Sequence, residues 1–228
     1  MEKFLGILFC GGRGTRLGTI TRYISKAFVP VYDRPIFMYP LAQLKVSKYI
    51  DEIVILTNRE NDDKLRETGY KTIIQDDRQV HDMFSGLKYI RNIPGQEKPA
   101  ILMPCDNISE IKVDDLIHHY LTQKPDIALF IKKIPSKEKL MEMGVFDPGD
   151  GTIEYKPSRP RTHWGVLAPY IVKPGIDLVG PEYEVFNRSH LAYLEYPGIW
   201  FDIGDIKSLK QANDYFYHSF ISIGKEKT

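Results

Sequence analysis

Cysteine is nearly absent. Cys10 and Cys105 are the only two in 228 residues, too few and too far apart for a disulfide framework or for the paired spacing of a zinc site. Both read as buried strand-end residues rather than nucleophiles. A charge excess of either sign is also missing: 31 Lys and Arg against 30 Asp and Glu leave a net charge of +1. The basic residues are scattered rather than striped, which argues against nucleic acid as a partner. No apolar run approaches membrane-spanning length, so no membrane is expected either. The start, Met1-Glu2-Lys3-Phe4-Leu5, has neither the long apolar region nor the small-residue cleavage site of a signal peptide, and a cytoplasmic location is the expectation. Internal repeats and low-complexity tracts are lacking. No Ser–His–Asp or Cys–His set is visible, and His81, His118, His119, His163, His190 and His218 read as surface or packing residues.

What is present is a hydrophobic content of 43%, enough for the sizeable core of one compact domain over residues 1–228. Short apolar runs alternate with amphipathic ones. Strands are expected at Phe4–Cys10, Ile53–Leu56, Thr72–Gln75, Ile101–Met103 and Ile127–Lys132. Helices are expected at Tyr39–Lys48, Asp62–Glu67, Val80–Ile90 and Val113–Leu121. This rhythm predicts an α/β fold, a Rossmann-like, mostly parallel sheet with helices on both faces. After Pro135 the texture changes to Pro, Gly and short strand-like pieces (Gly144–Phe146, Thr152–Tyr155, Trp164–Val172), which predicts a small β-rich subdomain over residues 135–205. A helix at Ile206–Phe220 and a frayed tail at Gly224–Thr228 complete the chain. The patch Tyr215-Phe216-Tyr217 is available either to pack internally or to meet a second copy in a homo-oligomer.

The first strand leads into Cys10-Gly11-Gly12-Arg13-Gly14-Thr15-Arg16-Leu17, with Lys26 following in Ser25-Lys26-Ala27-Phe28-Val29-Pro30-Val31. Glycines let backbone N–H groups crowd around phosphate oxygens. Arg16 adds a planar fork of donors and Lys26 a compact charge. The loop is therefore equipped for a polyphosphate, yet it lacks the third glycine of the dinucleotide fingerprint and the Gly-Lys-Ser/Thr of a Walker loop. In parallel sheets ligands sit at the carboxyl ends of the strands, where both this loop and Asp106 fall.

Gly11-Gly12-x-Gly14-Thr15-Arg16-Leu17, then Thr21, Lys26 and Pro30-Val31, resembles the signature of the sugar nucleotidylyltransferases. Pro30-Val31-Tyr32-Asp33-Arg34-Pro35-Ile36-Phe37-Met38-Tyr39-Pro40-Leu41 is similar to the glucose-1-phosphate thymidylyltransferase branch. Asp106-Asn107, Glu154-Tyr155-Lys156-Pro157 and Trp200-Phe201-Asp202-Ile203-Gly204 continue the resemblance in the family's order. It implies a nucleotide-binding half at 1–134, an acceptor-binding part at 135–205 and a C-terminal helix and tail at 206–228. It also implies Mg²⁺ held by Asp106 and Asp202, with a nucleoside triphosphate and a phosphorylated small-molecule acceptor as partners. Gly11, Gly12, Gly14, Thr15, Arg16 and Gln75 would bind the nucleotide. Gly144, Tyr155, Lys156 and Glu184 would face the acceptor. Arg16, Lys26, Asp106 and Asp202 would carry the chemistry, and Asp205 would stand behind them. The implied product is an NDP-sugar for polysaccharide or capsule biosynthesis.

The chain departs from that family at several points. Tyr155 stands where an acidic residue normally precedes Lys-Pro. Asp76-Asp77-Arg78-Gln79-Val80-His81-Asp82 replaces a glycine-containing segment that cradles the base, and Glu184-Val185-Phe186-Asn187 replaces Glu-Ile-Thr-Asp. These differences leave two alternatives open: a cytidylyl- or uridylyltransferase acting on a phosphorylated non-hexose such as an amino alcohol or amino acid phosphate, and a non-catalytic nucleotide-binding regulatory subunit.

Overall fold

The computed structural model describes residues 2–225. In chain order the elements are β1 (Phe4–Phe9), the hairpin β2 (Pro30–Val31) and β3 (Arg34–Pro35), α1 (Met38–Lys45), β4 (Ile50–Thr57), α2 (Arg59–Arg66), β5 (Lys71–Ile74), α3 (Met83–Arg91), β6 (Ala100–Pro104) and β7 (Asn107–Ser109). Then follow α4 (Val113–Gln123), β8 (Ile127–Lys133), α5 (Lys137–Leu140), β9 (Gly144–Asp147), β10 (Thr152–Tyr155), β11 (Trp164–Val172), α6 (Glu182–Arg188), β12 (Leu191–Glu195), β13 (Trp200–Asp202) and α7 (Ile206–Lys225). The expected βα elements are all found, with ends moved by a few residues. Gly224 is helical rather than tail, and residues 226–228 of the expected tail lie outside the described residues.

Nine strands form one sheet. Its main path runs β10-β9-β11-β6-β1-β4-β5, and β8 joins β11 to β12. Pairings β1–β4, β1–β6, β4–β5 and β8–β12 are parallel, as the alternating helices dictate. The strand at Trp164–Val172, expected in the β-rich subdomain, instead enters the middle of the sheet antiparallel. One edge of β11 meets β9 with Trp164 and Gly165 and β6 with Tyr170–Val172, while the other edge meets β8. The β11–β8 register shifts between Leu167 and Ile171, which spans Pro169, a residue with no N–H to give to a ladder.

Alternation along β1 sorts its side chains between two cores. Phe4 and Leu8 pack with Leu41 and Leu44 of α1, Leu65 of α2 and Leu116 and Ile117 of α4. Leu5 and Ile7 pack on the opposite face with Phe84 and Leu87 of α3 and Val185 and Phe186 of α6. Helices therefore cover both faces, and the strands' carboxyl ends are left free to carry loops. A third core joins Val31 of the hairpin and Ile36 just after it to Ile108, Ile203 and Ala212, which fastens α7 to the hairpin and to β7.

Candidate functional site

The loop after β1 is held from behind by asparagines. Asn61 Nδ2 donates to the Cys10 carbonyl at 3.1 Å and Asn58 Nδ2 to the Gly11 carbonyl at 3.3 Å. Asn58 also caps α2 by accepting the Asn61 N–H. Neither asparagine carried a sequence signal beyond its place after a strand. Two loop glycines stand where a Cβ would meet a neighbour. A Cβ on Gly11 would lie 2.0 Å from Gln75 Oε1, and Gly14 combines φ of 64° with a Cβ position 2.7 Å from Lys26 Cβ. Thr21 Oγ1 donates to the Gly14 carbonyl at 3.1 Å, tying the turn Thr15–Leu17 to the next segment. Gly12 faces open space.

Lys26 is folded under this loop and donates to Asp106 Oδ2; the two side chains are only 11% and 19% exposed. Burial alone would lower the Lys26 ammonium. The charge and hydrogen bond of Asp106, helped by Cys105 and Asp202, outweigh it and leave the lysine raised. A cavity of about 430 Å³ opens between Gly11, Gly12, Lys26, Gln75, Asp82 and Asp106. Gln75 lies against Gly11 and donates to Asp77 Oδ1 at 2.8 Å. In that cavity the expected nucleotide-side residues Gly11, Gly12, Lys26 and Gln75 meet. Cys10 and Cys105 lie at adjacent strand ends beneath it, and burial, the hydrogen bond between them and the charge of Asp106 push the Cys10 thiol up.

Asp106 and Asp202 come together through a two-stranded ribbon that the sequence did not announce. β7 and β13 pair antiparallel with Asp202 opposite Asn107, and the Ile203 N–H donates to the Asp106 carbonyl at 2.9 Å. Asn107 Nδ2 donates to Asp106 Oδ1 at 3.2 Å and its own Oδ1 accepts from Trp200 Nε1 at 3.0 Å, which fixes the carboxylate's orientation. Among the described residues no group of three or more His, Cys, Asp or Glu gathers as a metal cage. Two hard carboxylates on neighbouring strands still fit Mg²⁺, which takes one or two carboxylates and completes its shell with phosphate and water.

Arg16 reaches over the following turn, since a Cβ on Gly204 would lie 2.9 Å from its Nη2. Its Nη1 is 3.9 Å from Glu142 Oε2, and the side chain is 63% exposed. Asp205 is occupied as a cap: its Oδ1 accepts from the Ser208 N–H at 2.7 Å and hydroxyl at 2.8 Å. Those hydrogen bonds, then the charges of Lys139 and Arg16, hold its carboxyl below the usual range.

The acceptor-side residues fall partly together. Gly144 pairs directly with Tyr155 across β9 and β10, and the Lys156 N–H donates to the Met143 carbonyl at 3.0 Å. Lys156 has φ of 47° and its ammonium lies 4.9 Å from the Tyr155 ring centre. Tyr155 stacks at 6.3 Å on Tyr183. Glu184 is exposed on α6 and reaches them through Tyr183, whose hydroxyl donates to Glu184 Oε1 at 3.3 Å. The neighbouring Glu182 is the acid turned inward, beside Tyr170 and Asp82. Burial first, then the charge of Asp82, push Glu182 up to about 7, with the Tyr170 hydrogen bond opposing. Burial raises Tyr170 strongly, and Glu182, Tyr155 and Asp202 add to it, so these groups face one region.

Fixed cations and hard anions at the strand ends of an α/β sheet are the equipment of an enzyme that handles phosphate groups. Residues 5–179 match the family model for nucleotidyl transferase, and the chain belongs to that family. The glucose-1-phosphate thymidylyltransferase of Mycolicibacterium smegmatis is 26% identical over 242 residues, covering 92% of this chain and 81% of that protein. A Bacillus anthracis structure solved with sucrose, provisionally assigned as a glucose-1-phosphate thymidylyltransferase, superposes with a TM-score of 0.79 at 21% identity over 93% of this chain and 94% of its own. A UDP-glucose pyrophosphorylase complexed with UDP-glucose gives 0.74 at 16% identity over 96% of this chain and 100% of its own. At those identities the two structures share the fold with this chain.

Proposed function

We propose that this enzyme joins a nucleoside triphosphate to a sugar 1-phosphate, releasing pyrophosphate and an NDP-sugar, with Mg²⁺ as cofactor and surface polysaccharide or capsule as the destination of the product. The observation that carries the reading is the ribbon that pairs Asp202 with Asn107 and bonds Ile203 to Asp106, with the buried Lys26 on Asp106 and within the field of Asp202.

The acceptor's phosphate oxygen is already ionised at neutral pH, so it attacks the α-phosphorus without a protein base. Catalysis is then positioning and charge stabilisation. Gly11, Gly12, Gly14 and Thr15 present the loop to the triphosphate. Arg16, exposed above the Gly204 turn, meets the β- and γ-phosphates and steadies the departing pyrophosphate. Lys26 neutralises the α-phosphate, and Gln75 reads the base. Asp106 and Asp202 hold the metal, which supplies charge neutralisation to the reacting phosphates. Gly144, Tyr155 and Lys156 form the acceptor wall, and Glu182 serves it better than Glu184 does.

A second reading keeps the chemistry and changes the acceptor to a phosphorylated non-hexose. The Tyr155–Tyr183 stack favours it, because an aromatic wall replaces an acid that would accept from sugar hydroxyls. Pyrophosphate release with Mg²⁺, testing dTTP, UTP, CTP and GTP against glucose 1-phosphate, decides between them. Rapid turnover with one triphosphate supports the sugar. Tight triphosphate binding without turnover moves the acceptor away from hexose, and neither binding nor turnover ends both readings.

A further inference from the structure

Both carboxylates of the ribbon carry a lysine, but only one of those lysines has been given a task. Asp106 holds Lys26. Asp202 holds Lys139, whose Nζ lies 2.8 Å from Asp202 Oδ2 and 5.5 Å from the Trp200 ring centre. Lys139 sits in α5, a four-residue helix started by Ser136, whose Oγ accepts the Lys139 N–H at 3.1 Å. That cap fixes the backbone, and Asp202 and Trp200 are the contacts of the ammonium. The side chains of Lys139 and Asp202 are 28% and 26% exposed, and both border a cavity of about 370 Å³. Arg16 approaches the same turn from the loop side, close to Gly204. Lys156, the lysine expected on the acceptor phosphate, rests over Tyr155.

A divalent cation on a carboxylate repels an ammonium held by the same group and weakens that pair. A metal on Asp202 therefore favours release of Lys139, the more exposed of the two paired lysines, towards other anions. We propose that Lys139 is a phosphate-binding residue of this site, parked on Asp202 in the free protein and transferred to the reacting phosphates when the divalent cation takes its place. The proposal rests on the nucleotidyl-transfer reading for its substrate. The exchange couples the two ligands in both directions: phosphate draws Lys139 off and bares Asp202 for the metal, and the metal releases Lys139 towards phosphate.

The test uses Mn²⁺ as the metal probe, its free concentration followed by electron paramagnetic resonance on the full chain without any phosphate present. Removing the competing ammonium in Lys139→Gln should tighten Mn²⁺ about tenfold, whereas Asp202→Asn should weaken it. Lys139→Arg keeps the charge and should bind Mn²⁺ as the wild type does. In pyrophosphate-release assays Lys139→Gln should raise the KM for the phosphorylated acceptor and lower kcat by on the order of a hundredfold, the loss expected for one charge-stabilising contact. Weaker Mn²⁺ binding in Lys139→Gln would mean that Lys139 merely orients Asp202, and unchanged binding that it is a bystander; either result overturns the proposal. If Lys139→Gln does not fold, Lys139→Met in the same Mn²⁺ titration decides the matter, and binding no tighter than the wild type overturns the proposal. A wild-type protein that releases no pyrophosphate from any substrate pair would end the transferase reading, while the Mn²⁺ comparison would still judge the exchange at Asp202.

Discussion

Lys26 donates to Asp106 from a position almost closed to solvent, with side-chain exposures of 11% and 19%. Breaking such a pair leaves one buried charge without its partner, which costs on the order of 3 kcal/mol. Lys26→Met should therefore lower the urea midpoint markedly and stop turnover. The double variant Lys26→Met with Asp106→Asn should recover most of the stability and none of the activity. Recovery of neither would show that Lys26 matters through packing rather than charge.

Arg16 presents the opposite case. Its side chain is 63% exposed and its ion-pair contact, Glu142, is 3.9 Å away. Arg16→Ala should leave the unfolding midpoint within experimental scatter and reduce kcat by about a hundredfold or more, because the contact is made to charge that develops on the leaving pyrophosphate. Near-normal turnover in this variant would remove Arg16 from the mechanism.

Gly11 tests the loop. The atom closest to a new Cβ is the far end of Gln75, at 2.0 Å, so Gly11→Ala expels that side chain rather than breaking the backbone. The expected outcome is a raised KM for the triphosphate and blurred base preference with little loss of stability. Gln75→Ala should give the same defect, and the two should not add, since both remove the same side chain from the same place. Additive losses would separate the two residues.

Glu182 makes stability depend on pH. Burial and Asp82 raise its folded value from an ordinary 4.5 to about 7, so the folded protein holds the proton more tightly than the unfolded chain. Its favourable contribution is full below about pH 4.5 and is lost as pH rises towards 7. Glu182→Gln, which mimics the protonated acid, should match the wild type at pH 4 and exceed it at pH 8 by on the order of 1–3 kcal/mol. Thermal melts at the two pH values check this, and parallel pH profiles would refute it.

The βα rhythm was legible because its strands are buried runs and its helices are long enough to show a period. The loop from Gly11 to Arg16 was legible because its glycines, its arginine and the downstream Lys26 form a dense local motif. The centre of the sheet was not. Trp164–Val172 reads as a strand, but nothing local says that it pairs with β6 and β8 rather than with β9 alone. β7 has three residues, Asn107–Ser109, too few for any alternation, so the ribbon that unites Asp106 with Asp202 could not be foreseen from pattern. Lys139 lies in Lys137-Glu138-Lys139-Leu140, where a lysine looks like any solvated charge until its neighbour across the fold is known. The inward turn of Glu182 rather than Glu184 depends on how α6 meets β11, which spacing does not encode.

The position of β11 also sets a timetable. β8 has β11 and β12 as its strand neighbours, and both are made after it. While the ribosome has delivered only the first βα units, β1, β4, β5 and β6 can associate, but β6 ends in an open edge and β8 has nothing to join. The sheet closes once Val172 has emerged and β11 slides between them. Until then the nascent chain exposes strand edges of the kind that invite misassembly, and the pairing that closes them spans a long stretch of sequence and is slow to form.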